Sequence, residues 1–427
     1  MNRSRITWVR GFVLLAGVVF AMPARGEETV TRPRSGDIAE LVRQLGADDF
    51  HVREEASRRL MKIGLPAREA LLEGAKSRDL EIRRRCRDLM PAILEAHRQA
   101  KLAAFIADKD GKQKHDLPGW ERYRKIAGND DAARQLFVAV QNADTGFLAA
   151  ADNEFAQAEI ELARAALAKG QVKAQEIAIA ARNRYAHIGE RCAQLCQELV
   201  NRQRAQLFMN GKSAIQGISL TEIAPLLLVA ADPKVTIPVQ HRYLFGNLLY
   251  QTVVQNELRA GRPTPFKKIL LAWMERQAED EMTAQILFDT INNLQIKEGL
   301  PLALKAARGK KLRGGGIAHA LVTIGRLGDK RHLAVLESFL DDKTQFCGFG
   351  IGRAGGNVQG NTEVRDVALA MLVRLTKQSF KDYGFAISGL GFDHLMNNAN
   401  YLGFSSNKQR EKALAKWKAW KASQKKK

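Results

Sequence analysis

A nucleophile, a metal cage and a phosphate cradle each need particular residue types at particular spacings, and this chain offers raw material for all three. Its four cysteines are Cys86, Cys192, Cys196 and Cys347. Cys192 and Cys196 stand one helical turn apart, a geometry that does not join two sulfurs well, and no C-x-x-C pairs with a second ligand cluster. Free, partly buried thiols are therefore expected, and no zinc site. The eight histidines (His51, His97, His115, His187, His241, His319, His332 and His394) are scattered, with no H-E-x-x-H and no pair four residues apart. No G-x-S-x-G elbow is present for a hydrolase serine. The run 346–361 holds Gly348-x-Gly350-x-Gly352 and Gly355-Gly356, but a nucleotide fingerprint needs a βαβ unit and a Walker loop needs Gly-Lys-Ser/Thr. The run reads as a mobile connection. Its Phe346, Phe349 and Arg353 make it the candidate partner-contact loop, since contacts concentrate on loops held by a rigid scaffold. No catalytic, cofactor-binding or metal-ligating residue is assigned, and an enzyme is not expected.

The elements that would carry such a loop are helices, and they repeat. An acidic residue followed by a β-branched residue and an arginine opens an apolar helix at Asp49-Phe50-His51-Val52-Arg53 and again at Asp79-Leu80-Glu81-Ile82-Arg83. It returns at Glu363-Val364-Arg365. The acid can cap the helix. An arginine in the first turn is poorly placed for the helix dipole, so a bond to the acid of the adjacent repeat is expected as its gain. Ile38, Leu41, Val42 and Leu45 fall on one helical face, followed by Val52, Ala56, Leu60 and Ile63 before Gly64. Ala67, Ala70 and Leu71, then Ile82, Cys86, Leu89 and Ile93, extend the pattern to two antiparallel helix pairs over 37–95. A charged linker is expected over 97–116, and a helical middle region over 117–218, broken at Gly170. Paired helices resume with starts near Ser219, Pro238, Thr264, Asp280, Leu300, Gly315, Asp329 and Glu363. Residues 379–427 leave that rhythm and end in a lysine-rich helix.

The ends and the charge bound the rest. Arg3, Arg5 and Arg10 precede the apolar run Gly11–Met22, and Ala24-Arg25-Gly26 offers a cleavage site. The run is shorter than the roughly 20 residues that span a bilayer, so residues 1–26 read as a secretory signal peptide, and the mature chain as exported, periplasmic or secreted. No later segment looks membrane-spanning. The formal charge of +21 falls to +17 when residues 1–26, with four arginines and no acids, are removed. The basic runs are Arg83-Arg84-Arg85 with Arg87, Lys310-Lys311 with Arg313, and the tail from Lys408. In the tail, Trp417 and Trp420 read as a cap on the terminal apolar face in preference to a polyanion dock.

The phrase residues Asp49, Val52, Arg53, Asp79, Ile82, Arg83, Glu363, Val364 and Arg365 resemble the HEAT-like α-solenoid family. That resemblance implies an all-α stack of antiparallel helix pairs, with the valine between paired helices and an arginine–acid ladder along the stack. Two repeat blocks, 27–96 and 219–378, would flank the middle region, with 379–427 as a basic cap. Leu117-Pro118-Gly119-Trp120, Arg365-Asp366-Val367-Ala368-Leu369, Asp382-Tyr383-Gly384-Phe385 and Lys416-Trp417-Lys418-Ala419-Trp420 add a likeness to secreted bacterial HEAT-type proteins. It implies a fold and a compartment without an activity. The function expected is a non-enzymatic protein–protein interaction scaffold of the cell envelope or exterior. The alternative is a binder of polyanions, nucleic acid or acidic polysaccharide. Neither pattern nor charge assigns an oligomeric state.

Overall fold

The computed structural model describes residues 34–144, 146–209, 217–353, 356–386 and 399–424. The signal segment 1–26, Gly355, His394 and the terminal lysines lie outside them. Helix accounts for 74% of the structure, so the all-α reading holds at the level of class. The chain divides between Ala100 and Lys101 into two compact units.

The first unit contains α1 (Ser35–Gln44), α2 (Phe50–Ile63), α3 (Arg68–Gly74) and the start of α4 (Leu80–Ala107). Leu41, Leu45, Ala56, Leu60, Leu71, Cys86 and Ile93 form its core, as the helical spacing requires. The two phrases fold alike. Asp49 Oδ1 accepts from His51 N at 2.7 Å, and Asp79 Oδ1 from Glu81 N at 2.8 Å. Arg53 Nη1 donates to Ala47 O at 2.7 Å and Arg83 Nη1 to Ser77 O at 2.7 Å, each reaching six residues back to the turn before its helix. The expected acid ladder is a minor part of this. Arg53 Nε lies 3.7 Å from Glu81, while Arg83 bonds the turn carbonyl. Guanidinium donors are drawn to orphan carbonyls at the end of the preceding helix. Val52 also departs from expectation: it is 38% exposed. Ile82, its counterpart, packs against Gly46 in the turn after α1 and Gly74 at the end of α3.

The linker expected over 97–116 is corrected. α4 runs unbroken to Ala107 because Leu102 and Phe105 enter the core of the second unit. Past Ala107 the chain makes a built turn. Buried Asp108 accepts from Lys112 N at 3.2 Å and Gln113 N at 3.1 Å, and its bond to His115 Nε2 at 2.9 Å holds its carboxyl below the usual range.

In the second unit, Phe105 meets Trp120 and Phe137, at ring-centre distances of 4.6 and 5.7 Å, under α5 (Trp120–Ala127) and α6 (Asp131–Ala143). α7 (Phe147–Leu167) and α8 (Gln171–Met209) form a long hairpin that turns at Gly170, where φ is +99°. Gly189 of α8 lies against residues 236–237 so closely that a Cβ would stand 2.0 Å from Thr236 O. Gly189→Ala is expected to cost roughly 2–3 kcal/mol by overpacking against backbone that cannot yield, read as a lowered urea midpoint. An unchanged midpoint would show that the approach relaxes freely.

α9 (Leu220–Ala230), α12 (Pro265–Gln277) and α13 (Glu281–Leu294) start after Ser219, Thr264 and Asp280, whose side chains cap them as read from sequence. The 3₁₀ turn at 239–241 leads into α10 (Arg242–Leu248), and α11 (Thr252–Arg259) has no counterpart in the sequence reading. α14 (Gly299–Gly309), α15 (Gly314–Leu327) and α16 (Leu333–Glu337) come next. α15 packs against α13 and against α17 (Val364–Leu375). Residues 316–325 and 364–373 are buried throughout, as expected of helices with neighbours on every side. His319 of α15 is among them. Among the described residues its Nε2 has no hydrogen-bond partner, and burial depresses its affinity for a proton.

The glycine-rich run is the second correction. Instead of a mobile connection it forms an antiparallel hairpin, β1 (Gln345–Arg353) with β2 (Gly356–Glu363), the only sheet among the described residues. Few β-branched residues announce these strands. The glycines serve close approach: a Cβ at Gly360 would sit 2.6 Å from Phe404 O, and one at Gly403 would sit 2.1 Å from Asn361 O. Asn361 and Phe404 exchange backbone bonds of 3.2 Å there. α18 (Asn407–Gln424) closes the described chain, with Ala413, Leu414 and Trp417 buried.

Candidate functional site

The hairpin, the third phrase and the tail helix converge on one buried ionic cluster. Glu363 caps α17, and its backbone N–H donates to Asp366 Oδ2 at 2.9 Å. Arg365 Nε donates to Glu363 Oε2 at 2.6 Å, and its Nη1 lies 3.0 Å from Glu411 of α18. Arg410, also on α18, is 2% exposed. Its Nε donates to Asp366 Oδ1 at 2.7 Å, Nη1 to Asn407 Oδ1 at 2.8 Å, and Nη2 to Asn361 Oδ1 at 2.6 Å and Asn361 O at 3.2 Å. Glu363 Oε1 lies 3.1 Å from Nη1.

Electrostatics follow from this burial. Asp366 is fully enclosed, which raises its carboxyl to about 6 against the pull of Arg410 and of the Glu363 amide. A cleft of about 570 Å³ opens beside the cluster, lined by Gln359, Asn361, Glu363, Ser405, Asn407 and Arg410. Of the five N–H donors of a guanidinium, Arg410 commits four to hydrogen bonds, and Glu363 adds an ion pair. Asp366 does not line the cleft. The arrangement can clamp α18 and β2 onto α17.

The residues singled out from sequence are thus divided. Asp49, Val52, Arg53, Asp79, Ile82 and Arg83 lie in the first unit, and Glu363, Val364 and Arg365 in the second. Phe349 is 8% exposed and meets the Tyr401 ring at 6.1 Å, so it faces the core. Phe346 is half-buried against the same core. Arg353 pairs through its backbone with Gly356, and its side chain lies outside the described set. Sequence reading missed Arg410 and Asp366. The signals were the acid three residues after Glu363, as in a capping box, and an arginine in phase with Ala413, Leu414 and Trp417.

All four cysteines are free thiols. Burial raises Cys86 to about 11 and Cys196 to about 12, which disfavours their thiolate forms. Among the described residues no cluster of three His, Cys, Asp or Glu could hold a metal ion. No helix among them is long and apolar enough to cross a membrane. The chain matches no protein-family model, and a search of curated proteins finds no match.

Proposed function

We propose that the protein is a HEAT-like α-solenoid that serves as a non-enzymatic protein–protein interaction scaffold, exported to the periplasm or the cell exterior. The observation that carries this reading is the equivalence of the two N-terminal phrases. Each fastens its arginine to the preceding turn by the same six-residue reach, and each leaves the apolar residue after its cap in solvent. Phe50 is 56% exposed and Leu80 is 72% exposed. Isolated exposed apolar residues are ordinary, but recurrence at one phrase position marks a surface built at the period of the repeat.

Phe50→Asp with Leu80→Asp is expected to abolish capture of a stoichiometric protein partner from cell-envelope extract by residues 27–427, at high salt. Circular dichroism should remain unchanged, since both side chains are exposed. Retention of the partner by this variant would place the contact elsewhere, and recovery of nucleic acid or acidic glycan alone, lost at high salt, would favour the polyanion reading. That second reading draws support from the exposed Lys408, Lys412 and Lys418 on α18.

A further inference from the structure

A second cleft, of about 680 Å³, opens where the C-terminal ends of α15 and α17 come together. Leu375 and Phe380 give it an apolar floor, and Arg326, Lys330, Arg374 and Lys377 ring it with positive charge. Asp329 is the one acid among the lining residues, and it is already committed. Arg331 donates to both of its oxygens, Nε at 3.1 Å to Oδ1 and Nη2 at 2.6 Å to Oδ2. That grip holds the Asp329 carboxyl at about 2, so Asp329 stays a carboxylate bound to Arg331 and is not available to neutralise the lysines.

Helix dipoles account for part of this charge. Arg326 and Arg374 stand in the last turns of their helices, where cations are favoured, and Arg374 Nε donates to Gly325 O at 2.9 Å. They do not account for Lys330, which stands at the start of the short 3₁₀ turn at 330–332, outside both helices. Lys377 is held in the left-handed region at φ +58°, just past the end of α17, where glycine is the usual occupant. Gln378 N donates to Val373 O at 3.0 Å and fixes that backbone, which holds Lys377 on the cleft rim. Both lysines are exposed.

We propose that this cleft receives an acidic segment of a partner protein, one that sets an apolar side chain on Leu375 and Phe380 and its carboxylates against Lys330 and Lys377. The volume suits a few side chains, and the charge selects for carboxylates. This assignment rests on the scaffold reading and gives it a second, chemically distinct contact.

The test is fluorescence anisotropy with the full mature chain and a fluorescein-labelled octapeptide of alternating leucine and glutamate, beside one of alternating leucine and lysine. The wild type is expected to bind the glutamate peptide alone. Lys330→Glu with Lys377→Glu should weaken that binding about tenfold or more. Lys412→Glu with Lys418→Glu, an equal charge change on α18, should leave it within about twofold, because neither lysine lines the cleft and exposed charges outside it are screened. No binding of the glutamate peptide, or an equal loss from both pairs, overturns the proposal. In extract pulldowns, a partner retained by the wild type and equally by the cleft variant sinks the cleft while the scaffold reading stands. A wild type that retains no protein partner sinks the scaffold reading itself.

Discussion

Arg410→Met is expected to destabilise the second unit by about 3–5 kcal/mol, the usual result of removing one partner from a buried ion pair. The cause is what the substitution leaves behind. Asp366 has no exposure and keeps only the Glu363 amide at 2.9 Å, while Glu363 keeps Arg365. Methionine fills much of the space, so the loss reports charge more than volume. Urea unfolding of the full chain gives the measurement, and a change under about 1 kcal/mol would show that water or rearrangement replaces the guanidinium. Adding Asp366→Asn to the variant should recover part of the loss, since the stranded charge is then gone. The pH dependence supplies an independent reading. The folded carboxyl near 6 lies above its ordinary 3.8, so the native chain holds this proton more tightly than the unfolded one. Its stabilising contribution is full below about pH 3.8 and is lost as pH rises through about 6. Without Arg410, which pulls the value down, the loss should move to higher pH. Asp366→Asn should remove it.

Trp417→Ala is expected to cost about 3–5 kcal/mol, as for other buried large aromatics, and to loosen α18. Trp417 is 1% exposed and meets Trp420 at a ring-centre distance of 4.9 Å. Trp420 is itself packed against the core. Lys412→Glu with Lys418→Glu should change stability by no more than about 0.5 kcal/mol, as surface substitutions do. The two variants separate the cap from the polyanion dock. A dock formed by the tryptophans would lose polyanion affinity on Trp417→Ala with the urea midpoint unmoved, whereas a cap loses the midpoint. The burial of Trp417 favours the cap.

Local rules set how much of the fold was legible in the sequence. Ser219, Thr264, Asp280 and Glu363 each open a helix where a side chain can take up free amides, and that information is carried within four residues. Gly170 breaks α7 from α8 for an equally local reason. The misreadings lie where a distant segment decides. Residues 97–107 look like a charged linker until Leu102 and Phe105 find a core, and the glycine-rich run looks mobile until residues 403–404 lie across it. Phe349 therefore turns inward, although a loop would have displayed it. Arg410 was hidden by composition: amid lysines it reads as one more solvated charge, and only its phase with Ala413, Leu414 and Trp417 distinguishes it. The phrase arginines do need a partner, as their place in the first turn implies; for Arg53 and Arg83 it is a turn carbonyl, which every sequence supplies and none advertises, and for Arg365 it is the carboxylates of Glu363 and Glu411.

The free thiols carry a consequence for how the chain can be observed. Cys86 is sealed in the first unit, and Cys192 and Cys196 in the second. A maleimide reaches each only when its own helices part. Labelling rates resolved by residue would therefore time the opening of the two units separately, with the half-buried Cys347 read apart from them, while refolding proceeds without waiting on an oxidant.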